Sequence, residues 1–341
     1  MPSQPYLKQV IEGRKTLTRE DARSLMQQIL GSELSEIQVA ALLGALAARG
    51  ETALEIAGFV EAMRAAATPF PLDDAERRQL VDTCGTGGDA SGTFNISTAT
   101  ALVAAAAGAS VAKHGNRAVT SQCGSADILE ALGIPVDLSP AAAADALRKH
   151  RFAFLHAPSL HPAMKAVMPV RRALGVRTIF NVLGPLTNPA GAAAQVMGVY
   201  APHLVPLVAE AMALLGARHA FVVHGDTGNG GGLDELSISG PSQLAEIRDG
   251  VVTLRTLTPE DAGLKRASIE SLRGGDAQTN AAILEAIFSG ERSPCRDVVL
   301  LNTAAVLVAS GLAATFVEGI AEAAKTIDSG AVKALVTALR S

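Results

Sequence analysis

The chain has no tryptophan, and its aromatic residues make up only 3% of 341 positions. Nucleic-acid surfaces usually combine a basic face with stacking rings, and a net charge of -4 with so few rings argues against one. Cysteine is also scarce. Cys84, Cys123 and Cys295 are odd in number and far apart, so neither a disulfide framework nor a CxxC metal knuckle is available, and reduced thiols are expected. No apolar run reaches the ~20 residues a membrane helix requires; the alanine-rich stretch 99–109 is short and small-sided. Residues 1–13 lack the charged start and apolar middle of a signal peptide, so the cytoplasm is the expected compartment. What remains is a soluble globular composition, 48% apolar and 18% charged, with enough apolar mass for a large core divided between two domains.

The first seventy residues read as helical. Three apolar stretches each open with a capping pattern, Thr18-x-x-Asp21, Ser35-x-x-Gln38 and Thr52-x-x-Glu55, which satisfies amides left unpaired in a first helical turn. Behind these caps Leu42, Leu43 and Leu46, then Ile56, Phe59, Val60 and Met63, recur at helical spacing, while Gly31 and Gly50 end two of the helices. Thr68-Pro69-Phe70-Pro71 admits no helix and marks the boundary. From there short strands alternate with helices, the rhythm of a parallel sheet covered on its faces. Strands are expected at 79–83, 110–113, 152–155, 195–199 and 220–224, with helices at 97–107, 125–132, 140–150 and 202–215. Residues 161–175 have a helical pattern and are expected to pack back on the first domain; 181–189 is rich in turn formers. The fold class expected is α/β: a small all-helical domain, 1–70 with 161–185 packed onto it, beside a larger α/β domain, 73–160 and 186–341, with a mostly parallel sheet.

Asp82-Thr83-Cys84-Gly85-Thr86-Gly87-Gly88-Asp89 lies between a strand and a helix, where an open α/β sheet binds its ligand. Its glycines let several N–H groups aim at one point, a nest suited to phosphate oxygens. Residues 85–90 also fit G-x-G-x-x-A, but no acid follows about 20 residues on to hold a ribose, which argues against a nicotinamide cofactor. Thr93-Phe94-Asn95-Ile96-Ser97-Thr98 then places more hydroxyls and amides at a helix start than capping requires; the surplus suits phosphate, or a metal ion at Ser97.

Lys113-His114-Gly115-Asn116-Arg117 ends the next strand, hence at the same sheet edge, and adds two cations beside the amide nest. Asp234-Glu235 is reached through the glycine-rich run 225–232. Adjacent acids in a loop are usually solvent-facing; beside a polyanion they make electrostatic sense with a hard cation such as Mg²⁺ between. A glycosidase pair is disfavoured, because sequence neighbours do not flank one bond. Arg171, alone, would be a surface charge; across a cleft from the sheet edge it could clamp a carboxylate with two hydrogen bonds.

Together DTCGTGGD, NIST, KHGNR, NVLGPLTNP and GLDE, in this order, with Gly274-Gly275-Asp276-Ala277 and Asn280 near the end, closely resemble the anthranilate phosphoribosyltransferases. The resemblance spans nearly the whole chain. It implies the nucleoside phosphorylase/phosphoribosyltransferase-like architecture, a homodimer through the helical domains, and a site in the cleft between domains. It further implies that Gly85, Gly88, Asp89, Thr93, Asn95, Ile96, Ser97, Thr98, Lys113, His114, Gly115, Asn116 and Arg117 hold phosphoribosyl pyrophosphate, with Ser121 and Ser125 completing that loop. By the same resemblance Ser97, Asp234 and Glu235 bind magnesium, two ions per subunit, and Gly85, His114, Asn116, His161, Arg171 and Pro185 meet anthranilate. Lys113, Asn116 and Arg171 carry the catalytic roles it implies. Two features depart from the pattern: Ala118 and Thr120 stand where many relatives carry serines, and the glycine-rich run before Leu233 looks longer than usual. One rival is a pyrimidine nucleoside phosphorylase, which resembles this fold, but the KHGNR loop and the paired acids favour the transferase. The other is a non-catalytic nucleic-acid-binding relative, which the acidic balance disfavours.

Overall fold

The computed structural model describes residues 4–118 and 122–340. Its amino-terminal helices, Arg19–Leu30, Glu36–Arg49 and Ala53–Ala65, begin behind Thr18, Ser35 and Thr52, and each of those hydroxyls accepts from the amide three residues on. Glu55 does more than close its own cap. Fully buried, it also receives the Leu17 amide at 2.8 Å and Arg49 at 2.7 Å, tying the loop before the first helix to the third.

Eight strands form one sheet: β1 Leu80–Gly85, β2 Ser110–Gly115, β3 Phe152–His156, β4 Ala194–Gly198, β5 His219–Asp226, β6 Gly232–Leu233, β7 Ser242–Arg248 and β8 Val251–Leu257. The order is β3-β2-β1-β4-β5-β7-β8, with β6 beside β5; the first five strands run parallel and β6 to β8 antiparallel. Side chains alternate across it. Val196, Phe221 and Val223 enter a core built with helices Ile96–Ala106 and Pro294–Ser310, whereas Met197, Ala220 and Val222 enter the opposite core with helix Leu204–Leu214. That second core is continuous with the amino-terminal helices and includes Val167, Val170, Phe180 and Leu183, so the crossing segment packs on the helical unit.

Three elements differ from the sequence reading. The helix expected at 161–175 is broken into a 3₁₀ turn, Pro162–Ala166, and a short helix, Met168–Leu174. Pro162 and Pro169 each lack an amide donor and each opens a first turn, so one continuous helix cannot run through both. The turn-rich stretch 181–189 instead contains a helix, Phe180–Leu186, driven by the buried face of Phe180, Val182, Leu183 and Leu186. Beyond β5 the sheet continues in β7 and β8; β8 is largely exposed and lacks the apolar alternation that would betray it, being held by its pairing with β7.

Candidate active site

Strand polarity brings the carboxyl ends of β1, β2, β3 and β4 to one edge, where Gly85 lies opposite Gly198 and Gly115 opposite His156. The chain runs outward from β1 to β3 and then returns to β4, so the crevice beyond β1 and β4 is the switch point where such sheets bind ligands. Here the glycine loop meets the acidic loop. Gly87 and Gly88 both adopt left-handed backbone, with φ of +69° and +76°, and the Gly87 amide donates to Asp234 Oδ2 at 2.6 Å. A carboxyl oxygen therefore already sits on the amide nest. The Asp234 amide donates in turn to Asp89 Oδ2 at 3.2 Å.

Only glycines make this approach possible. A Cβ on Gly85 would lie 2.1 Å from Asp234 Oδ2, one on Gly198 1.5 Å from the Asp234 carbonyl oxygen, and one on Gly225 2.6 Å from that of Glu235. The ends of β1, β4 and β5 are thus hollowed to seat the Asp234–Glu235 pair. Burial, then the nearby Asp89 charge, pushes the Asp234 carboxyl up to about 7, and burial together with Asp234 raises Glu235 well above the carboxylate range.

Lys113, fully buried on β2, donates to the Thr83 carbonyl at 2.7 Å and to Ser97 Oγ at 3.1 Å. Burial lowers its pKa while Cys84, Asp82, Glu235 and Asp234 pull it back up. Beneath it Asp82, which accepts from the His114 amide at 3.2 Å, is pushed up by burial to about 6. Glu235 lies beside the Ser97 backbone in the first turn of helix Ile96–Ala106, where the helix dipole favours an acid. Lys113, Ser97, Asp234 and Glu235 thus form one cluster with the glycine loop.

Other residues singled out from sequence take structural partners. Asn95 donates to the Cys123 carbonyl and accepts from Asn280, which also receives the Gly275 amide, so Gly274-Gly275 and Asn280 buttress the start of the helix. Thr93 bridges to Arg273. Ile96 and Thr98 are buried, and Thr98 Oγ1 has no partner among the described residues. Asn116, exposed, accepts from the Arg117 amide. Arg117 itself turns to acids, pairing with Glu130 at 2.6 Å, Asp127 at 3.4 Å and Asp137 at 3.8 Å. Ser125 opens helix Ser125–Ala131 and crowds Gly115, where a Cβ would stand 3.2 Å from its own. Ser121 and Thr120 lie outside the described residues.

The crossing segment closes the other side. The His114 and His161 rings are 5.2 Å apart and tilted by 59°, and both Nε2 atoms are buried without partners among the described residues. Burial, then His161, drives His114 down to about 3, so it is a neutral ring. Pro185 lends its carbonyl to Gln195 at 2.7 Å. Arg171 has its guanidinium 5.4 Å from the Phe180 ring and its pKa lowered by burial; no carboxylate among the described residues pairs with it. The sequence reading missed Arg177, which donates to the Gly88 carbonyl and stacks 4.4 Å from the Tyr200 ring centroid. Its place in a segment already expected beside the cleft was the available signal. A separate cavity of about 500 Å³, lined by Arg218, His219, Arg248 and Glu318 among others, lies at the opposite edge of the sheet from these loops.

Oxygen donors fit magnesium. Among the described residues no three acidic, histidine or cysteine side chains form a closed metal cage; magnesium typically takes one or two carboxylates with waters and substrate phosphates.

Fold and site together define a glycosyl transferase: residues 77–333 match the glycosyl transferase family a/b domain, and residues 4–67 the helical bundle domain of that family. Within this class the chain belongs to the anthranilate phosphoribosyltransferase family, being 51% identical to the Solibacter usitatus member over 98% of this chain and 97% of that protein. The Symbiobacterium thermophilum member is 50% identical over 98% of this chain and 96% of its own length. The crystal structure of the Thermus thermophilus enzyme superposes with a TM-score of 0.91 at 44% identity, covering 98% of both chains. The Saccharomyces cerevisiae enzyme in complex with PRPP and Mg gives 0.86 at 28% identity, covering 98% of this chain and 95% of that one.

Proposed function

We propose that this chain transfers the phosphoribosyl group of phosphoribosyl pyrophosphate to the amine of anthranilate, giving N-(5-phosphoribosyl)anthranilate and pyrophosphate, the second step of tryptophan biosynthesis from chorismate. The observation that carries the reading is the Gly87 amide holding a carboxylate oxygen at 2.6 Å beside the buried ammonium of Lys113, an anion seat assembled from four separate chain segments. Family membership supports the substrates, and the geometry supports the division of labour among the residues.

An arylamine is a weak nucleophile because its lone pair is shared with the ring, so most of the rate must come from easing the departure of pyrophosphate. Lys113 spends two of its three donors on Thr83 and Ser97 and keeps one for a phosphate oxygen. Amides fixed before the reaction stabilise the charge growing on the leaving group without reorganising. Asp89, Asn95, Thr93, Thr98 and Ser125 shape the phosphoribosyl seat around them, while Arg117 serves it indirectly, through the acids that anchor its loop. Magnesium would be held by Ser97, Asp234 and Glu235, with two ions per subunit, and supplies Lewis-acid stabilisation of the diphosphate. The ribose passes through an oxocarbenium-like state and is attacked on its opposite face.

Arg171 holds the anthranilate carboxylate, no acid among the described residues pairing with its desolvated guanidinium, and Asn116 orients the amine. His114, neutral and with a bare Nε2, accepts a hydrogen bond rather than a proton. His161, Gly85 and Pro185 line the approach. The helical unit 1–70 with 161–185 and the α/β unit 73–160 with 186–341 form the two walls. A homodimer through the helical unit would cover Ile11, Ile37 and Leu54, exposed there by 43%, 82% and 47%. A cytoplasmic setting suits the thiols Cys84 and Cys295, which form no disulfide.

Mixing the protein with both substrates and Mg²⁺ should extinguish anthranilate fluorescence, and chelating the metal should stop it. Steady fluorescence under saturating substrates, or phosphorolysis of a pyrimidine nucleoside in its place, would overturn the proposal.

A further inference from the structure

One residue of the crossing segment reaches the phosphate nest directly. Arg177 follows Arg171 by six positions, past Gly175, whose left-handed φ of +61° ends helix Met168–Leu174. Just beyond it Thr178 and Ile179 are buried, and the Thr178 amide is held by Asn181 Oδ1 at 3.0 Å, so the chain is anchored on its carboxyl side. The guanidinium reaches from this anchored point to the Gly88 carbonyl and lies over Tyr200. Tyr200 is not a passive platform. Its amide donates to Thr86 Oγ1 at 3.0 Å, and the Thr86 amide donates to the Gly198 carbonyl at 2.9 Å. Glycine loop, end of β4, Tyr200 and Arg177 therefore close a ring of contacts.

From this ring we infer that Arg177 is a positioning residue that couples the two substrate sites: a diphosphate settling on the glycine loop fixes Gly88, hence Arg177, hence the segment that presents Arg171 and His161 to the aromatic acid. The inference rests on the substrate assignment proposed above. Its signature is heterotropic: each ligand should tighten the other by the same factor, since coupling free energy is reciprocal. A direct phosphate ligand would behave otherwise, weakening the diphosphate by itself.

The test titrates anthranilate by its fluorescence with and without saturating Mg²⁺-pyrophosphate, which occupies the loop without turnover. In the unsubstituted protein the tightening should be about tenfold, within the usual range for coupled sites. In Arg177→Met the ratio should fall to near one, while each ligand alone keeps its affinity within about threefold. Tyr200→Leu, which removes the platform and leaves the Gly88 bond, should lower the ratio by about two- to fivefold, the worth of an exposed cation–π contact; Tyr200→Phe should retain it. If Arg177→Met does not fold, the two Tyr200 variants carry the test alone. An unchanged ratio in Arg177→Met or Tyr200→Leu overturns the inference, as does absence of coupling in the unsubstituted protein. So does an Arg177→Met that weakens pyrophosphate alone by tenfold with the ratio intact. Arg171→Ala separates the two levels: if it abolishes anthranilate binding while Arg177→Met keeps the ratio, the coupling idea fails and the site assignment stands. If Arg171→Ala binds anthranilate normally, the carboxylate clamp falls and the coupling route with it.

Discussion

A single methyl group at Gly198 should disable the site. Alanine there suffers no backbone penalty, because Gly198 is an ordinary strand residue, yet its Cβ would lie 1.5 Å from the Asp234 carbonyl oxygen and 2.3 Å from the carbonyl carbon. Both neighbours are main chain, so no rotamer change relieves the clash. Moving from 1.5 Å to an ordinary contact of 3.4 Å displaces the acidic loop by about 1.9 Å. The 2.6 Å bond from the Gly87 amide to Asp234 cannot survive such a shift. Misplacement of about 1 Å costs about a hundredfold in rate, so kcat/KM for phosphoribosyl pyrophosphate should fall by at least that factor. Overpacking should also lower stability by about 1–3 kcal/mol, measurable by urea unfolding. Gly44→Ala is the control: nothing stands within 4 Å of its Cβ inside helix Glu36–Arg49, so it should stabilise by about 0.5–1 kcal/mol and leave activity intact. Wild-type turnover in Gly198→Ala, at matched Mg²⁺, would refute the claim that the acids must sit on the strand ends.

Arg171→Ala should weaken anthranilate in steady-state kinetics and spare phosphoribosyl pyrophosphate; equal losses for both would refute the clamp. Asp82, pushed up to about 6 from an ordinary 3.8, binds its proton more tightly folded than unfolded, so its burden of about 3 kcal/mol is present above pH 6 and relieved as pH falls through 6 toward 4. Asp82→Asn keeps the acceptor for His114 and should gain most over the unsubstituted protein above pH 7, the advantage vanishing near pH 4 in denaturant titrations. Asp328→Ala removes the acid 2.7 Å from Nη1 of the fully buried Arg296, leaving it the Gly290 and Ala324 carbonyls, and should lower the urea midpoint measurably. Removing Arg292, 74% exposed and 3.0 Å from the same acid, should cost less than about 1 kcal/mol.

The helical caps and the five parallel strands were legible because their signals are local: a hydroxyl three residues ahead of an acid or amide, an apolar run ended by glycines. Strand ends alone shifted, by a residue or two, as at Leu80–Gly85 against an expected 79–83. Strands β7 and β8 were not legible. Exposed Val251 and Leu254 sit beside polar Thr253 and Arg255, a pattern that only pairing with β7 turns into a strand. At the site, residue types pointed to Lys113, Ser97 and the acidic pair, and their convergence follows from strand polarity. The partners of Arg117 could not be read, since its acids stand 10, 13 and 20 residues away on elements whose relative placement is tertiary. Arg177 offered only its place beside the cleft as a signal, because its bond is to a carbonyl, which carries no sequence signature.

The apolar core that runs unbroken from the sheet through helix Leu204–Leu214 into the amino-terminal helices has a consequence for how the molecule could be divided. The amino-terminal part is no detachable module. A chain starting after residue 70 would leave Val205, Val208 and Met212 facing water and would take away the floor beneath Val167 and Val170, the two residues that seat the arginine-bearing helix. Swapping such a segment between relatives would succeed only if the underside of the donor fitted the surface left behind.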